Sequence, residues 1–258
     1  MIHKTAVIDK DAIIEEGVEI GPYTVIGRDT IIRSGARIYG QSFIEYADIG
    51  SNCNVFSFSS IGGCPQDLKY CGEKTKVIVG DNTIIRECVT LNRGTIASGN
   101  TVVGKNCMLM SCAHIAHDCV IGDEVIIGYS TALAGHVKVG DHAVLSAGIG
   151  VHQFCKIGKF VMIGAGSMAS MDIIPYVTAY GDRASLAGLN VIGLRRGGIE
   201  FYEIENIKKA YRTLFMSKVT LKDAITQLKN SQSPYVKDIV SFIKNSKRGI
   251  ARPRNGWR

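Results

Sequence analysis

The histidines of this 258-residue chain are the residues best suited to chemistry, because an imidazole gains and loses a proton near neutral pH. Four of the six are His114, His117, His136 and His152. His117 is followed by Asp118, and a neighbouring carboxylate can orient the ring and favour its charged form. These residue types suit general base catalysis, in which a histidine takes a proton from an attacking hydroxyl group.

The backbone of Gly135 is a candidate for a second role. Attack on a carbonyl carbon produces a tetrahedral intermediate with a negatively charged oxygen, which backbone N–H groups stabilise. Gly135 precedes His136, one of the four histidines. It is therefore a candidate oxyanion donor.

A six-residue repeat of aliphatic residues must position these groups. Helical faces repeat every three to four residues and strands every two, so neither produces this period. Short strands joined by regular corners and stacked into a solenoid do produce it. The repeated residues are Ile8, Ile14, Ile20, Ile26, Ile32, Ile38, Ile44, Ile49, Val55, Ile61, Val79, Ile85, Leu91, Val103, Leu109, Ile115, Ile121, Ile127, Leu133, Val139, Leu145, Val151, Ile157 and Ile163.

Two further residue types accompany these anchors. Glycine often follows an anchor, as at Gly21 and Gly122, and we expect a positive φ there. A small or β-branched residue lies two positions before most anchors, and four cysteines occupy this place, which predicts buried, reduced thiols. They are Cys53, Cys107, Cys119 and Cys155.

The repeat resembles that of the hexapeptide-repeat acyltransferases. The resemblance implies a mainly β fold, a left-handed parallel β-helix with eighteen residues in each coil, so that residues eighteen apart stack about 4.7–4.9 Å apart. His114, His117, His136 and His152 then occupy positions 6, 9, 10 and 8 of three consecutive coils, and His142 lies at position 16 on another flank. The four histidines are expected to form one cluster.

Interruptions of the repeat divide the chain. Residues 62–78 and 95–100 are predicted to be loops, where binding groups are often placed. We assign residues 1–182 to the β-helix and 183–258 to a small, basic C-terminal α-helical domain. The predicted helices span 201–217, 220–230 and 233–245, with Thr220 and Ser233 as N-caps of the last two.

The net charge of +7 is distributed unevenly, with −4 over residues 1–182 and +11 over residues 183–258. The basic part is either a solvated helical surface or a docking face for an acidic partner. No zinc-finger spacing or RNA-binding signature occurs, so we expect no nucleic-acid partner. The sequence lacks an N-terminal apolar block and a run of about 20 apolar residues, which predicts a cytoplasmic protein with no membrane span.

Seven segments, in order along the chain, resemble the UDP-N-acetylglucosamine O-acyltransferase family. They are Gln66–Lys69, Leu91–Thr95, Ala113–Cys119, Leu133–Val137, Val151–Phe154, Ile174–Tyr176 and Gly193–Arg196. The resemblance implies a homotrimer that moves a (3R)-3-hydroxyacyl chain from acyl carrier protein to the 3-hydroxyl group of UDP-N-acetylglucosamine, the first step of lipid A biosynthesis. The resemblance also implies that acyl carrier protein, which is acidic, is the partner of the basic domain.

The resemblance also implies roles for individual residues. His117 is the general base, Ala165 sets the acyl-chain length, and Asn190 and Arg196 bind the nucleotide. The other implied substrate contacts lie in a cleft between neighbouring subunits and are Gln66, Asp67, Lys69, His114, His136, His152 and Gln153. No metal or diffusible cofactor is implied, because the donor is the phosphopantetheine thioester of acyl carrier protein.

Some residues depart from the family pattern, and other functions stay open. Ile192 stands where several relatives carry a carboxylate, and Asn92 where some carry a histidine. His114 favours a hydroxyl acceptor over the amine of a 3-amino sugar. The alternatives are a zinc-dependent lyase, which would bind zinc stoichiometrically, a non-catalytic solenoid scaffold, and a sugar acetyltransferase that uses acetyl-CoA.

Overall fold

The computed structural model describes residues 1–254, and three sheets dominate it. The first sheet contains Val7–Ile8, Val25–Ile26, Phe43–Ile44, Ser60–Gly63, Thr90–Asn92, His114–Ile115, Ala132–Leu133, Gly150–Val151 and Met168–Ala169. The second contains Ile13–Ile14, Ile31–Ile32, Ala47–Ile49, Lys76–Val79, Asn100–Val103, Val120–Ile121, Lys138–Val139 and Lys156–Ile157. The third contains Glu19–Ile20, Arg37–Ile38, Asn54–Val55, Ile84–Ile85, Met108–Leu109, Ile126–Ile127, Val144–Leu145, Met162–Ile163, Val177–Tyr180 and Ser185–Leu189.

Each coil contributes one strand to each sheet, which gives the predicted left-handed parallel β-helix. Anchors stack directly, as Ile115 does between Leu91 and Leu133. These three side chains are fully buried, and the aliphatic column is the core of the solenoid. Of the pairs of adjacent strands, only Val177–Tyr180 with Ser185–Leu189 is antiparallel within residues 1–254.

The predicted positive φ of the glycines after the anchors is wrong. Gly21 and Gly122 do not have positive φ; many left-handed corners carry larger residues instead, such as Asp118 (φ 60°) and His136 (φ 62°). A Cβ on Gly21 would lie 2.6 Å from the backbone N of Gly40, and one on Gly122 would lie 2.8 Å from that of Asp141. These glycines are needed because successive coils approach closely.

The four predicted cysteines are buried and free. Burial raises the pKa of Cys119 to about 12, and that of Cys53 to about 11. Thiolate is the reactive form of cysteine, so these groups are inert packing residues.

Four helices follow the solenoid: α1 (Val191–Arg196), α2 (Phe201–Phe215), α3 (Leu221–Leu228) and α4 (Pro234–Lys244). The three predicted helices are confirmed, and Thr220 and Ser233 cap α3 and α4 through their side chains. Helix α1 was not predicted. Within the described part of the chain, no helix has the length and apolar character needed to cross a bilayer.

The segment after α4 returns to the β-helix. Asp172 N donates to Gly249 O over 2.9 Å, and Leu186 N donates to Arg252 O over 3.1 Å. The proposed domain boundary at residue 182 falls in the turn between the last two strands of the third sheet.

Candidate active site

His117 lies at the corner that follows the strand His114–Ile115, and only 5% of its surface is exposed. Its Nδ1 is 2.7 Å from Asp118 Oδ2. An ionised carboxylate can only accept hydrogen bonds, so Nδ1 carries the proton in this contact. Nε2 of a neutral His117 therefore has a lone pair available to accept a proton.

Asp118 is buried and ionised. Burial acts to raise its pKa, but hydrogen bonds from Ser98, His117 and Thr95 outweigh burial and lower the pKa to about 2. Thr95 donates through N over 2.9 Å and through Oγ1 over 2.8 Å, and Ser98 donates through Oγ. The carboxylate is therefore fixed in position and in charge.

The donors to Asp118 belong to the second interruption of the repeat, predicted as the loop 95–100. Sequence reasoning placed binding groups in such loops and missed that Thr95 and Ser98 hold the carboxylate of the next coil. The available signal was that two hydroxyl residues occur in a loop inserted one coil before Asp118.

Gly135 lies one coil beyond His117. A Cβ at Gly135 would come 2.6 Å from Cε1 and 2.7 Å from Nε2 of His117, so a side chain there would displace the ring. Within residues 1–254, the Gly135 N–H donates no hydrogen bond, like those of Tyr129 and Asp141 at the equivalent place of the neighbouring corners. Gly135 therefore brings a free N–H to the side of the His117 ring.

The other histidines surround this pair. The ring of His136 stacks on Phe154 at 4.5 Å and meets His117 edge-on at 5.2 Å. Burial lowers the pKa of His136, although the charge of Asp118 opposes the shift. His114 Nδ1 is 2.7 Å from Thr90 Oγ1, and burial lowers the pKa of His114. Burial therefore favours the neutral form of both rings.

A cleft of about 840 Å³ opens over His117. Residues 66–69 of the first loop, with strands and corners of the first sheet, form its walls. Of the predicted site residues, Gln66, Asp67, Lys69, His114, His117, Gly135, His152 and Gln153 line it. His136 contacts His117 beside the cleft without lining it.

Three predicted site residues lie away from the cleft in this single chain. Asn190 caps α1, since its Oδ1 accepts from Gly193 N over 3.1 Å and its Nδ2 donates to Phe160 O over 2.9 Å. Arg196 is exposed at the end of α1, and Ala165 is exposed at a different corner of the β-helix. Their assigned roles involve a cleft shared with a neighbouring subunit and stay predictions.

The donor atoms of His117, Asp118 and His136 lie within 4.8 Å of one another, the spacing of a metal site. Imidazole and carboxylate groups can ligate zinc, but the carboxylate here is already engaged. Both oxygens of Asp118 already accept hydrogen bonds from Thr95, Ser98 and His117. Coordination would break these bonds, so the arrangement fits an acid–base pair.

The sequences of curated relatives match this chain over nearly its full length. An acyl-[acyl-carrier-protein]--UDP-N-acetylglucosamine O-acyltransferase of Thermodesulfovibrio yellowstonii is 45% identical over 97% of this chain and 99% of its own. The enzyme of the same name from Aliarcobacter butzleri is 44% identical over 96% and 97%. The chain belongs to the UDP-N-acetylglucosamine O-acyltransferase family.

Family models and solved structures agree with this membership. The model described as UDP-N-acetylglucosamine O-acyltransferase, domain 2, matches residues 172–251, and that of the bacterial transferase hexapeptide matches residues 100–135. LpxA from Bacteroides fragilis, a UDP-N-acetylglucosamine acyltransferase, has a TM-score of 0.95 and 43% identity, covering 98% of this chain and 100% of that one. The Francisella novicida enzyme has a TM-score of 0.96 and 36% identity, covering 99% and 95%. This chain is an enzyme of the UDP-N-acetylglucosamine O-acyltransferase family.

Proposed function

We propose that the protein transfers a (3R)-3-hydroxyacyl group from acyl carrier protein to the 3-hydroxyl group of UDP-N-acetylglucosamine. The names of its relatives support the substrates. One observation carries the chemistry: Nδ1 of His117 donates to the ionised Asp118, which leaves Nε2 as a base beside the free Gly135 N–H.

The reaction needs one proton acceptor and one oxyanion donor. His117 Nε2 removes the proton of the 3-hydroxyl group as its oxygen attacks the thioester carbon, and Asp118 stabilises the resulting imidazolium. The Gly135 N–H stabilises the oxyanion. Collapse of the intermediate breaks the carbon–sulfur bond, and the departing phosphopantetheine sulfur takes the proton from Nε2.

Substrate binding is assigned to the rest of the cleft. Gln66, Asp67 and Lys69 contact the nucleotide sugar from one side, and the other histidines with Gln153 contact it from the β-helix. The protein acts as a homotrimer, in which Asn190 and Arg196 of a neighbouring subunit bind the nucleotide. Arginine suits this role because its fork of N–H donors matches phosphate oxygens.

The remaining assignments concern the acyl donor and the location of the enzyme in the cell. Ala165 limits the acyl chain, and the basic residues after 182 attract acidic acyl carrier protein. We place the enzyme in the cytoplasm, at the first step of lipid A biosynthesis.

An assay with UDP-N-acetylglucosamine and a series of 3-hydroxyacyl carrier proteins tests this function. We expect ester formation with these donors, a preference for one chain length, and no product with acetyl-CoA. Transfer from acetyl-CoA but not from acyl carrier protein would contradict the proposal and favour a sugar acetyltransferase.

A further inference from the structure

The loop that carries Gln66, Asp67 and Lys69 is tied to the β-helix by very few contacts. Residues 65–75 bond mostly to one another, as Lys69 N does to Asp67 Oδ1 and Cys71 N to Glu73 Oε2. At Cys64, the first residue of the loop, the carbonyl oxygen accepts from Asn92 Nδ2 over 3.0 Å. From residues 65–75 to the rest of the described chain, there is one hydrogen bond, between Tyr70 and Arg93, and one exposed ion pair, between Lys74 and Asp29 at 3.9 Å. Pro65 and Thr75 are buried at the two ends of this segment, and between them few bonds to the β-helix hold it.

Arg93 makes that hydrogen bond and also holds the start of the loop. Its Nε donates to Tyr70 Oη over 3.0 Å, its Nη1 to Gly62 O over 2.6 Å, and its Nη2 to Cys64 Sγ over 3.2 Å. Arg93 N donates to Gly63 O over 3.1 Å. One residue therefore joins the start of the loop to Tyr70 in its middle.

The guanidinium group of Arg93 is itself fixed. Arg93 is 6% exposed, and Nη1 also donates to Glu45 Oε1 over 3.1 Å. Its Cζ lies 4.3 Å from the centre of the Tyr46 ring and 5.5 Å from that of Tyr70, so the cation packs between two aromatic faces. A planar fork with several donors suits this geometry, and lysine does not supply it.

We propose that Arg93 is a positioning residue that fixes the loop 64–75 and thereby places Gln66, Asp67 and Lys69 at the cleft. Arg93 does not line the cleft and touches neither His117 nor Asp118. Its loss therefore affects substrate binding more than the chemical step. This consequence for substrate rests on the proposed function, whereas the effect on the loop does not.

The test compares Arg93→Lys and Tyr70→Phe with the wild-type enzyme by hydrogen exchange of residues 64–75 and by tryptic cleavage after Lys69. We expect cleavage at least about tenfold faster in Arg93→Lys, with exchange of residues 114–121 unchanged. Tyr70→Phe keeps the ring and removes two hydrogen bonds of the hydroxyl group, the one from Arg93 Nε and the one to Glu73 O, so it should fold and show a smaller effect in the same direction. Arg33→Lys is the matched control, because Arg33 makes a two-bond contact with Asp48 and, within the described residues, no hydrogen bond to residues 64–75.

Kinetics give the second readout. Arg93→Lys should raise KM for UDP-N-acetylglucosamine about tenfold to hundredfold and change kcat by less than about threefold. Unchanged cleavage and exchange in both variants would overturn the proposal, as would equal loss of protection throughout the β-helix. If the wild type shows no acyl transfer, the proposed function fails, but cleavage and exchange still decide the role of Arg93.

Discussion

At the scale of residues, the site depends on a few atoms around His117. Its Nδ1 is hydrogen-bonded to Asp118, and its Nε2 packs against Gly135. A glycine is required there for space, because the backbone at Gly135 has no positive φ. The base and the candidate oxyanion donor therefore meet only if position 135 has no side chain.

Gly135→Ala should lower kcat strongly while leaving the fold intact. The new methyl group would come 2.6 Å from Cε1 of His117, so the ring must move away from its productive position. We expect a loss of about 10²-fold in kcat, measured with saturating substrates. The control is Ala147→Ser at an exposed corner, which should keep wild-type activity. The nearby Gly148 is unsuitable, because its φ of 67° would strain an alanine. A kcat within twofold of wild type for Gly135→Ala would contradict this packing argument.

At the scale of elements, the loop 95–100 controls the charge of Asp118. Because hydrogen bonds hold the pKa of Asp118 to about 2 against the effect of burial, this carboxylate is charged throughout the working range of pH. Its contribution to stability is present above the unfolded pKa of about 3.9 and is lost as pH falls from there through about 2.

Removing the side-chain donors should let burial dominate. In the double variant Thr95→Val with Ser98→Ala, we expect the pKa of Asp118 to rise and the acid limb of the kcat profile to move to higher pH. Ser34→Ala is the matched control, because Ser34 donates to Glu15 at an exposed corner. An acid limb that stays where it is in the double variant would show that the loop does not set the charge of Asp118.

The six-residue repeat made the strands of the β-helix predictable, because the residues of each coil follow the same short spacing along the chain. The anchors, the cysteine positions and the alignment of four histidines all follow from one period. The two loops do not follow the six-residue repeat, so their paths could not be predicted from the sequence. The contacts of Thr95, Ser98 and Arg93 depend on those paths and were therefore missed. Helix α1 was missed because it is only six residues long and contains Gly193.

At the scale of the whole molecule, a β-helix body of net charge −4 carries a C-terminal part of net charge +11. Helix α2 presents exposed cations, among them Lys209 and Arg212. An acidic carrier protein would be steered towards this part, and steering weakens as salt screens the charges. The functions assigned to Asn190, Arg196 and Ala165 also belong to this scale, because a single chain does not bring them to the cleft.

Reversing charge on α2 should slow the reaction with acyl carrier protein. For Lys209→Glu with Arg212→Glu, we expect kcat/KM for the acyl carrier protein to fall about tenfold or more at low salt, and the difference to shrink at high salt. Lys4→Glu with Lys10→Glu, on the first coil, makes the same change of net charge and should have little effect. An equal loss of kcat/KM in both double variants would show that net charge alone causes the effect, and would contradict a docking face on α2.

The central claim is that His117 is the general base, and turnover of His117→Ala tests it most directly. With UDP-N-acetylglucosamine and a 3-hydroxyacyl carrier protein, we expect kcat to fall by about 10²–10⁴ while thermal unfolding stays close to wild type. His142→Ala provides the control, because His142 pairs with Glu124 and stacks on Phe160 at another corner. Near-normal turnover in folded His117→Ala would contradict the account.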